Sequence, residues 1–435
     1  MRILLVASMF PPQRGVASLR THSFAATWAS AGHEVTVLTT QKQADQIGLQ
    51  LSAIGFDVQE VEYSVPRLLA RLRQEDRADG PAPQRSRSLL APLRWLKGRT
   101  GVFSAVRQPD LTDAWVRPAL AWALGQPAWD AVVSSFGPPA AHLVALGLKQ
   151  RGRCRLWAAD FRDLWTDNHM YSGLFPITLA ERRRERRVLA AADRLVTVSP
   201  GLARRLATKA GRPVSVIYNG YDPAAFAAMA PEPAFAADGR VRLVYTGTVY
   251  DRGQDLRPLC AAVAAESRAT LVVATDRPGP WHDAARRYRL GDQLYLRGPV
   301  PWAEALRLQR DATALILLDW RDPRAGVLTG KVFEYLMSPA PIWLVGGSAD
   351  SPAAELVRQT GRGVALGRDV DRIRTAIREA ASGSRLVPNR DFIARLTRER
   401  QALQFLKLLE HNHQDVTSAA CSLNPLTRPD ARPVI

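Results

Sequence analysis

Lys331 and Glu334 stand three residues apart in Gly330-Lys331-Val332-Phe333-Glu334, on one face of a predicted helix start. A lysine there can face a phosphate, while a glutamate can accept two hydrogen bonds from ribose hydroxyls. A plain ion pair is the alternative. Upstream, Tyr245-Thr246-Gly247-Thr248 ends an apolar run and leads through Asp251-Arg252-Gly253 toward a helix. Free N–H groups and the Arg252 cation would cradle a diphosphate there, or the stretch is a turn with a solvated arginine. Gly15, before another predicted helix, would let backbone approach a diphosphate. Its surroundings are not G-x-G-x-x-G, which disfavours a dinucleotide site of the usual kind. Asp160, Arg162 and Asp163 follow a predicted strand, and paired aspartates flanking an arginine would orient a hydroxyl at its carboxyl end. The alternative is a salt-bridge cluster closing a turn. Trp165 offers a ring for stacking on a ligand or fills the core. His142 reaches a binding cleft or packs inside. No helix carries H-x-x-x-H, and no metal or other cofactor is expected.

Positioning these groups requires short strands that end at them. Ile3–Ser8, Glu34–Thr39, Ala131–Ser135, Arg155–Phe161 and Arg194–Ser199 are brief apolar runs separated by helical stretches. Such runs suit strands buried on both faces of a parallel sheet. After Val214–Tyr218 the rhythm restarts with Val241–Thr246, Leu271–Thr275, Gln293–Arg297, Ala314–Leu318 and Ile342–Val345. The fold class is therefore α/β, with two Rossmann-like, doubly wound parallel-sheet domains facing a cleft. Ligands bind beyond the carboxyl ends of strands in such sheets. We expect domains at 1–205 and 206–385, an irregular basic insertion at about 65–125, one helix at 391–412 and a disordered tail at 413–435.

Composition narrows the classes. The chain has 435 residues, 46% hydrophobic and 23% charged, which is ordinary for a globular protein. Its three cysteines form no C-x-x-C pair, so a thiolate zinc site or a disulfide scaffold is not expected. Net charge is +18, and only six of the 59 basic residues are lysine. Arginine forks onto phosphate oxygens, so the charge points to an anionic partner. No nucleic-acid-binding module is recognisable. Leucines and Trp95 among cations at 89–97 suit an anionic membrane surface; a solvated loop is the alternative.

Taken together, these stretches resemble a GT-B glycosyltransferase of the retaining family 4 type, found in bacterial surface-polysaccharide synthesis. The matching pieces are Pro11-Pro12 with Gly15 and Arg20, Gly32-His33-Glu34, Asp160 to Asn168, Ala192-Asp193, Asn219-Gly220-Tyr221-Asp222, Tyr245 to Thr248 and Gly330 to Leu336. The resemblance implies a metal-independent hexosyltransferase that uses a UDP- or GDP-sugar and a glycan or lipid-linked acceptor. It implies cytoplasmic work, peripheral on the inner face of the plasma membrane. It places the donor against Gly15, Gly247, Thr248, Arg252, Gly298, Val300, Lys331 and Glu334. Asp163, Arg252 and Lys331 are the expected catalytic groups, and Asp160, Arg162, Trp165 and His142 the expected acceptor contacts. A last helix, 386–412, would pack back on the first domain.

One departure stands out. The family often has a second carboxylate eight positions before Glu334, where this chain has Gly326. Asp319, Asp322 or the N–H groups of Val327 and Leu328 are the candidate substitutes. The gap keeps a non-catalytic scaffold open as an alternative, beside a sugar-nucleotide 2-epimerase.

Overall fold

The computed structural model describes residues 1–42, 48–49, 51–65, 91–227, 231–250, 253–322, 326–380 and 386–411. Two compact units result: the chain up to Tyr218 together with the stretch from Gln401, and Asn219–Arg400.

The first unit is built on a seven-stranded parallel sheet in the order β3-β2-β1-β4-β5-β6-β7. Its strands are β1 (Arg2–Val6), β2 (Glu34–Thr40), β3 (Asp57–Val61), β4 (Trp129–Ser135), β5 (Cys154–Phe161), β6 (Arg194–Thr197) and β7 (Ser215–Val216). Strand side chains alternate between the two faces of a sheet. Leu4 and Val6 accordingly join a core with Trp115, Val132 and Phe161, while Ile3 and Leu5 join one with Phe24, Trp28 and Val133. The second core is completed by the end of the chain. Phe405 of the helix Arg398–Glu410 lies 5.1 Å from Phe24 and 5.5 Å from Trp28, and the Trp28 Nε1–H donates to the Ala402 carbonyl at 2.9 Å.

The second unit carries a six-stranded parallel sheet in the order β10-β9-β8-β11-β12-β13. Here β8 is Val241–Thr246, β9 Ala269–Ala274, β10 Leu294–Gly298, β11 Ala314–Leu318, β12 Ile342–Val345 and β13 Gly363–Gly367. In each sheet the order reverses beside the first strand of the unit, between β1 and β4 and between β8 and β11. Those two reversals open the crevices where such sheets take ligands.

Two sequence expectations are corrected. The stretch at 65–125 is not irregular in its described part: helices Ala91–Thr100 and Val116–Gly125 flank a short 3-10 turn, and Trp115, Ala119 and Ala123 are buried. The late helix is two helices, Arg390–Arg395 and Arg398–Glu410. Between them the Leu396 carbonyl accepts from Tyr221 N at 3.1 Å, and Arg398 N donates to the Tyr221 carbonyl at 2.8 Å. Backbone groups paired across the unit cannot also pair along a helix. Gly220, at φ +69°, admits that approach, since a Cβ there would lie 2.9 Å from Arg398 N. Strands β3 and β13 were also not anticipated. The expected tail at 413–435 and the residues 89–90 lie outside the described residues.

Candidate functional site

The richest cluster sits at the β8–β11 reversal. Gly247 follows β8 with φ +107°, and a Cβ on it would stand 2.5 Å from Lys331 Cε. The absence of a side chain therefore lets the lysine cross the turn. Lys331 Nζ donates to the Thr248 carbonyl at 3.1 Å and stands 5.1 Å from the centre of the Tyr245 ring. Burial pushes its pKa down to about 8, although Glu334 and Asp276 favour the charged form. Thr248 Oγ1 donates to Asp276 Oδ1 at 2.8 Å, which fixes the turn's outer edge.

Glu334 lies one helical turn beyond Lys331, and both of its oxygens are held. Gln309 Nε2 donates to one at 2.5 Å, and Trp302 Nε1 donates to the other at 3.0 Å. Gln309 also reaches Thr246 Oγ1 at 2.9 Å, and the Thr246 N–H donates to the Tyr335 hydroxyl at 3.1 Å. The carboxylate is thus aimed by its neighbours, yet each oxygen keeps a second lone pair for a ligand. Trp302 and Gln309 are seven apart on the helix Trp302–Arg310, hence on one face. That helix follows Gly298, whose φ is +66°, and half-buried Val300, so the loop expected near a base is linked to Glu334. Sequence reading missed both Trp302 and Gln309. Their two-turn spacing was visible, but nothing local shows which face meets Glu334.

The turn is tied to the neighbouring strand end. A Cβ on Gly253 would lie 2.0 Å from the Trp320 ring, so only glycine fits, and the Gly253 carbonyl accepts from Arg321 N at 2.7 Å. Gln254 Nε2 donates to the Leu318 carbonyl at 2.7 Å. Arg252 lies outside the described residues. Asp319, one candidate for the missing carboxylate, is buried under Gly346-Gly347 and accepts from Trp320 N at 2.8 Å; burial raises its pKa.

Among the described residues no three His, Cys, Asp or Glu side chains gather as metal ligands. The triplet Asp369-Val370-Asp371 has the D-x-D spacing of a metal-diphosphate motif. It is used locally: Asp369 Oδ1 accepts from the N–H groups of Asp371 and Arg372, and Asp371 pairs with Arg374 at 3.0 Å.

In the first unit the expected residues separate. Gly15, at φ +135°, precedes the helix Val16–Ser30 with no side-chain cap, and a Cβ there would meet nothing within 4 Å. Backbone is therefore open to a ligand. Asp160 is fully buried and takes both prongs of Arg20, at 2.9 and 3.0 Å. Arg162 donates to Ser135 Oγ at 3.1 Å and the Gly137 carbonyl at 3.1 Å. Burial raises the Asp163 pKa, against the pull of Arg162. His142 and Trp165 are core residues in this structure, not accessible contacts. His142 Nδ1 is 2.7 Å from Ser134 Oγ, its ring packs 4.4 Å from Phe161, and burial with the Arg162 charge lowers its pKa to about 3. Trp165 is fully enclosed, with Nε1–H donating to Glu181 at 3.2 Å. Both rings are apolar surface that the β4–β5 layer buries.

A cavity of about 250 Å³ opens at the β1–β4 reversal, lined among others by Ser8, Gln13, Lys97, Phe103, Pro138 and Tyr171. Phe103 and Ala105 at its wall hold φ of 60° and 62°. Left-handed non-glycine backbone is costly and concentrates at functional sites.

These features define a GT-B protein. The fold likeness extends over nearly the whole chain. Sucrose-phosphate synthase from Thermosynechococcus elongatus matches with TM-score 0.64 and 14% identity, covering 96% of this chain and 99% of its own. Anabaena HepE, in complex with UDP and glucose, matches with TM-score 0.58 and 13% identity over 95% and 100%. A Listeria monocytogenes protein described as a UDP-N-acetylglucosamine 2-epimerase matches with TM-score 0.52 and 11% identity over 94% and 97%. No curated protein sequence matches significantly. The family model described as Glycosyltransferase Family 4 matches residues 17–225. Over that stretch the chain is similar to family 4 glycosyltransferases, and its fold is that of GT-B proteins.

Gly247→Ala tests the turn. The added Cβ meets Lys331, and the left-handed φ costs about 1–3 kcal/mol. We expect a lower thermal midpoint and weaker nucleoside-diphosphate binding by calorimetry. A variant that binds normally would show that Lys331 does not need that path.

Proposed function

We propose that the chain moves a hexosyl group from a UDP- or GDP-sugar to a glycan or lipid-linked acceptor, without a metal and with retention at the anomeric carbon. The observation that carries this is Glu334, aimed by Trp302 and Gln309 one turn from a half-buried Lys331 at the β8–β11 reversal. Glu334 accepts from the ribose hydroxyls. Lys331, Thr248 and the Gly247 backbone bind the diphosphate, and the sequence supplies Arg252 as a further cation. Gly298 and Val300 line the base. HepE, similar in fold, has been crystallised with UDP-glucose, which supports a nucleotide-sugar donor.

In the reaction the bond between the sugar carbon and the leaving phosphate oxygen breaks, and its electron pair stays on that oxygen. Fixed cations and N–H groups stabilise the growing charge. The acceptor hydroxyl attacks from the same face and passes its proton to the departing phosphate. We place the acceptor at the first-unit cavity, with Arg162 and Asp163 orienting it. Peripheral attachment to the inner face of the plasma membrane accompanies a lipid-linked acceptor.

Thermal shift against UDP, GDP and their sugars tests the donor site, because a ligand bound only to the folded state raises the midpoint. We expect one nucleotide to stabilise the protein, and Glu334→Ala to lose about 1–3 kcal/mol of that affinity. Undiminished binding by the variant would remove Glu334 from the site. Incubating the nucleotide-sugar alone separates the epimerase reading, which yields a new sugar nucleotide without acceptor. Binding without any turnover across acceptors would favour the scaffold reading that Gly326 leaves open.

A further inference from the structure

The helix Ile177–Ala191 spends its carboxylates inward. Glu181 and Glu185 are fully buried. Glu181 pairs with Arg107 at 3.0 Å and accepts from Gln108 N at 2.8 Å. Glu185 pairs with Lys209 at 2.6 Å. On an ordinary solvated helix those glutamates would turn out and pair with arginines one turn away. Here Arg182, Arg183, Arg184, Arg186 and Arg187 are all exposed, and among the described residues none of the five forms an ion pair. Arg184 alone reaches a side chain, Gln108 Oε1, at 3.0 Å. The outer face is therefore of one sign, with like charges repeated three and four residues apart, an arrangement that repels itself.

Apolar groups stand at the start of this face. Phe175 is 75% exposed and Leu179 46%. Leu179 lies three, four and seven residues before Arg182, Arg183 and Arg186, on their side of the helix. The segment joins the helix Ala91–Thr100 through a Gly173 N–H to Thr100 carbonyl bond of 3.0 Å, and that helix exposes 65% of Trp95. Bulky apolar side chains beside unneutralised arginines match an anionic bilayer: guanidinium forks meet headgroup phosphates while the rings and leucine enter the acyl boundary.

We propose that Arg182, Arg183, Arg186 and Arg187, with Phe175 and Leu179, form a docking face for an anionic phospholipid surface. This deepens the membrane part of the proposed function and moves the main contact from the 89–97 stretch to the helix Ile177–Ala191. A nucleic-acid duplex would use the arginines but would not bury the exposed phenylalanine and leucine.

The test is co-sedimentation of the full chain with phosphatidylglycerol-containing vesicles and with pure phosphatidylcholine vesicles. Wild type should sediment with the first and not the second. The quadruple variant Arg182→Gln, Arg183→Gln, Arg186→Gln, Arg187→Gln should bind on the order of several hundred-fold more weakly, at about five-fold per charge. Phe175→Ser with Leu179→Ser should weaken binding and leave it more salt-sensitive. Equal vesicle binding by the quadruple variant overturns the proposal. So does duplex DNA binding that is tighter than vesicle binding and indifferent to Phe175→Ser with Leu179→Ser. Both variants should keep the wild-type thermal midpoint and its shift by nucleoside diphosphate. Loss of that shift in wild type would count against the donor site, not against this face.

Discussion

Lys331→Met is expected to lower turnover by about 10²–10³-fold, the scale of removing one fixed donor from a developing oxyanion. The reason lies in the cost already present in the free protein. Burial beside the Tyr245 ring depresses the lysine's pKa to about 8. Its charged form is then poorly solvated and gains more from a phosphate than a surface lysine would. The pH dependence follows. Below about 8 the cation is present and diphosphate affinity is full; above it, binding must first restore the proton, so affinity falls as pH rises. Stability of the free protein runs the other way. Between about 8 and the ordinary lysine value of 10.5 the unfolded chain binds more protons than the folded one, so this group's contribution to stability rises with pH. Calorimetric titration of nucleoside diphosphate from neutral to alkaline pH checks the first statement. A break near 8 in wild type that is absent in Lys331→Arg and Lys331→Met supports it. The same break in all three variants would assign it to another group, the diphosphate included.

The parts legible in the sequence are those whose physics is local. Val241–Thr246, Ala314–Leu318 and Ile342–Val345 were placed at the residues they occupy because central strands are continuous apolar runs. Asp57–Val61 and Gly363–Gly367 lie at sheet edges: the first mixes exposed polar residues with half-buried ones, and the second is only three apolar residues, Val364 to Leu366, between glycines, so neither carries that signal. Lys331 and Glu334 were visible because one helical turn brings them together. Trp302 and Gln309 were not, because they meet Glu334 only through tertiary packing. The break at Leu396–Arg398 is hidden for the same reason: its cause is the backbone of Tyr221. Burial decided the fate of His142 and Trp165, and aromatic side chains near a strand end look alike in sequence whether they face ligand or core.

Asp160 presents the sharpest case of one residue type with two roles, and a stability measurement separates them. Its carboxylate is enclosed with Arg20, the pair showing 0% and 1% side-chain exposure. Arg20 also donates to the carbonyls of Ile217 and Tyr218, at 3.0 and 2.7 Å, so one guanidinium joins the end of β5 to the chain leaving β7. Removing one partner of such a pair strands the other charge in the interior, which costs about 3–5 kcal/mol. Arg20→Met should therefore lower the urea midpoint sharply, leaving Asp160 with little beyond the Ser135 hydroxyl at 3.3 Å. Arg20→Met combined with Asp160→Leu should recover much of the loss, since no unpaired charge remains in the interior. If instead Asp160 serves the acceptor directly, Asp160→Asn will depress turnover at an unchanged urea midpoint. A midpoint shift that grows with each single substitution and shrinks in the pair identifies Asp160 as the anchor of the sheet's carboxyl edge, on which the open backbone at Gly15 depends for its position.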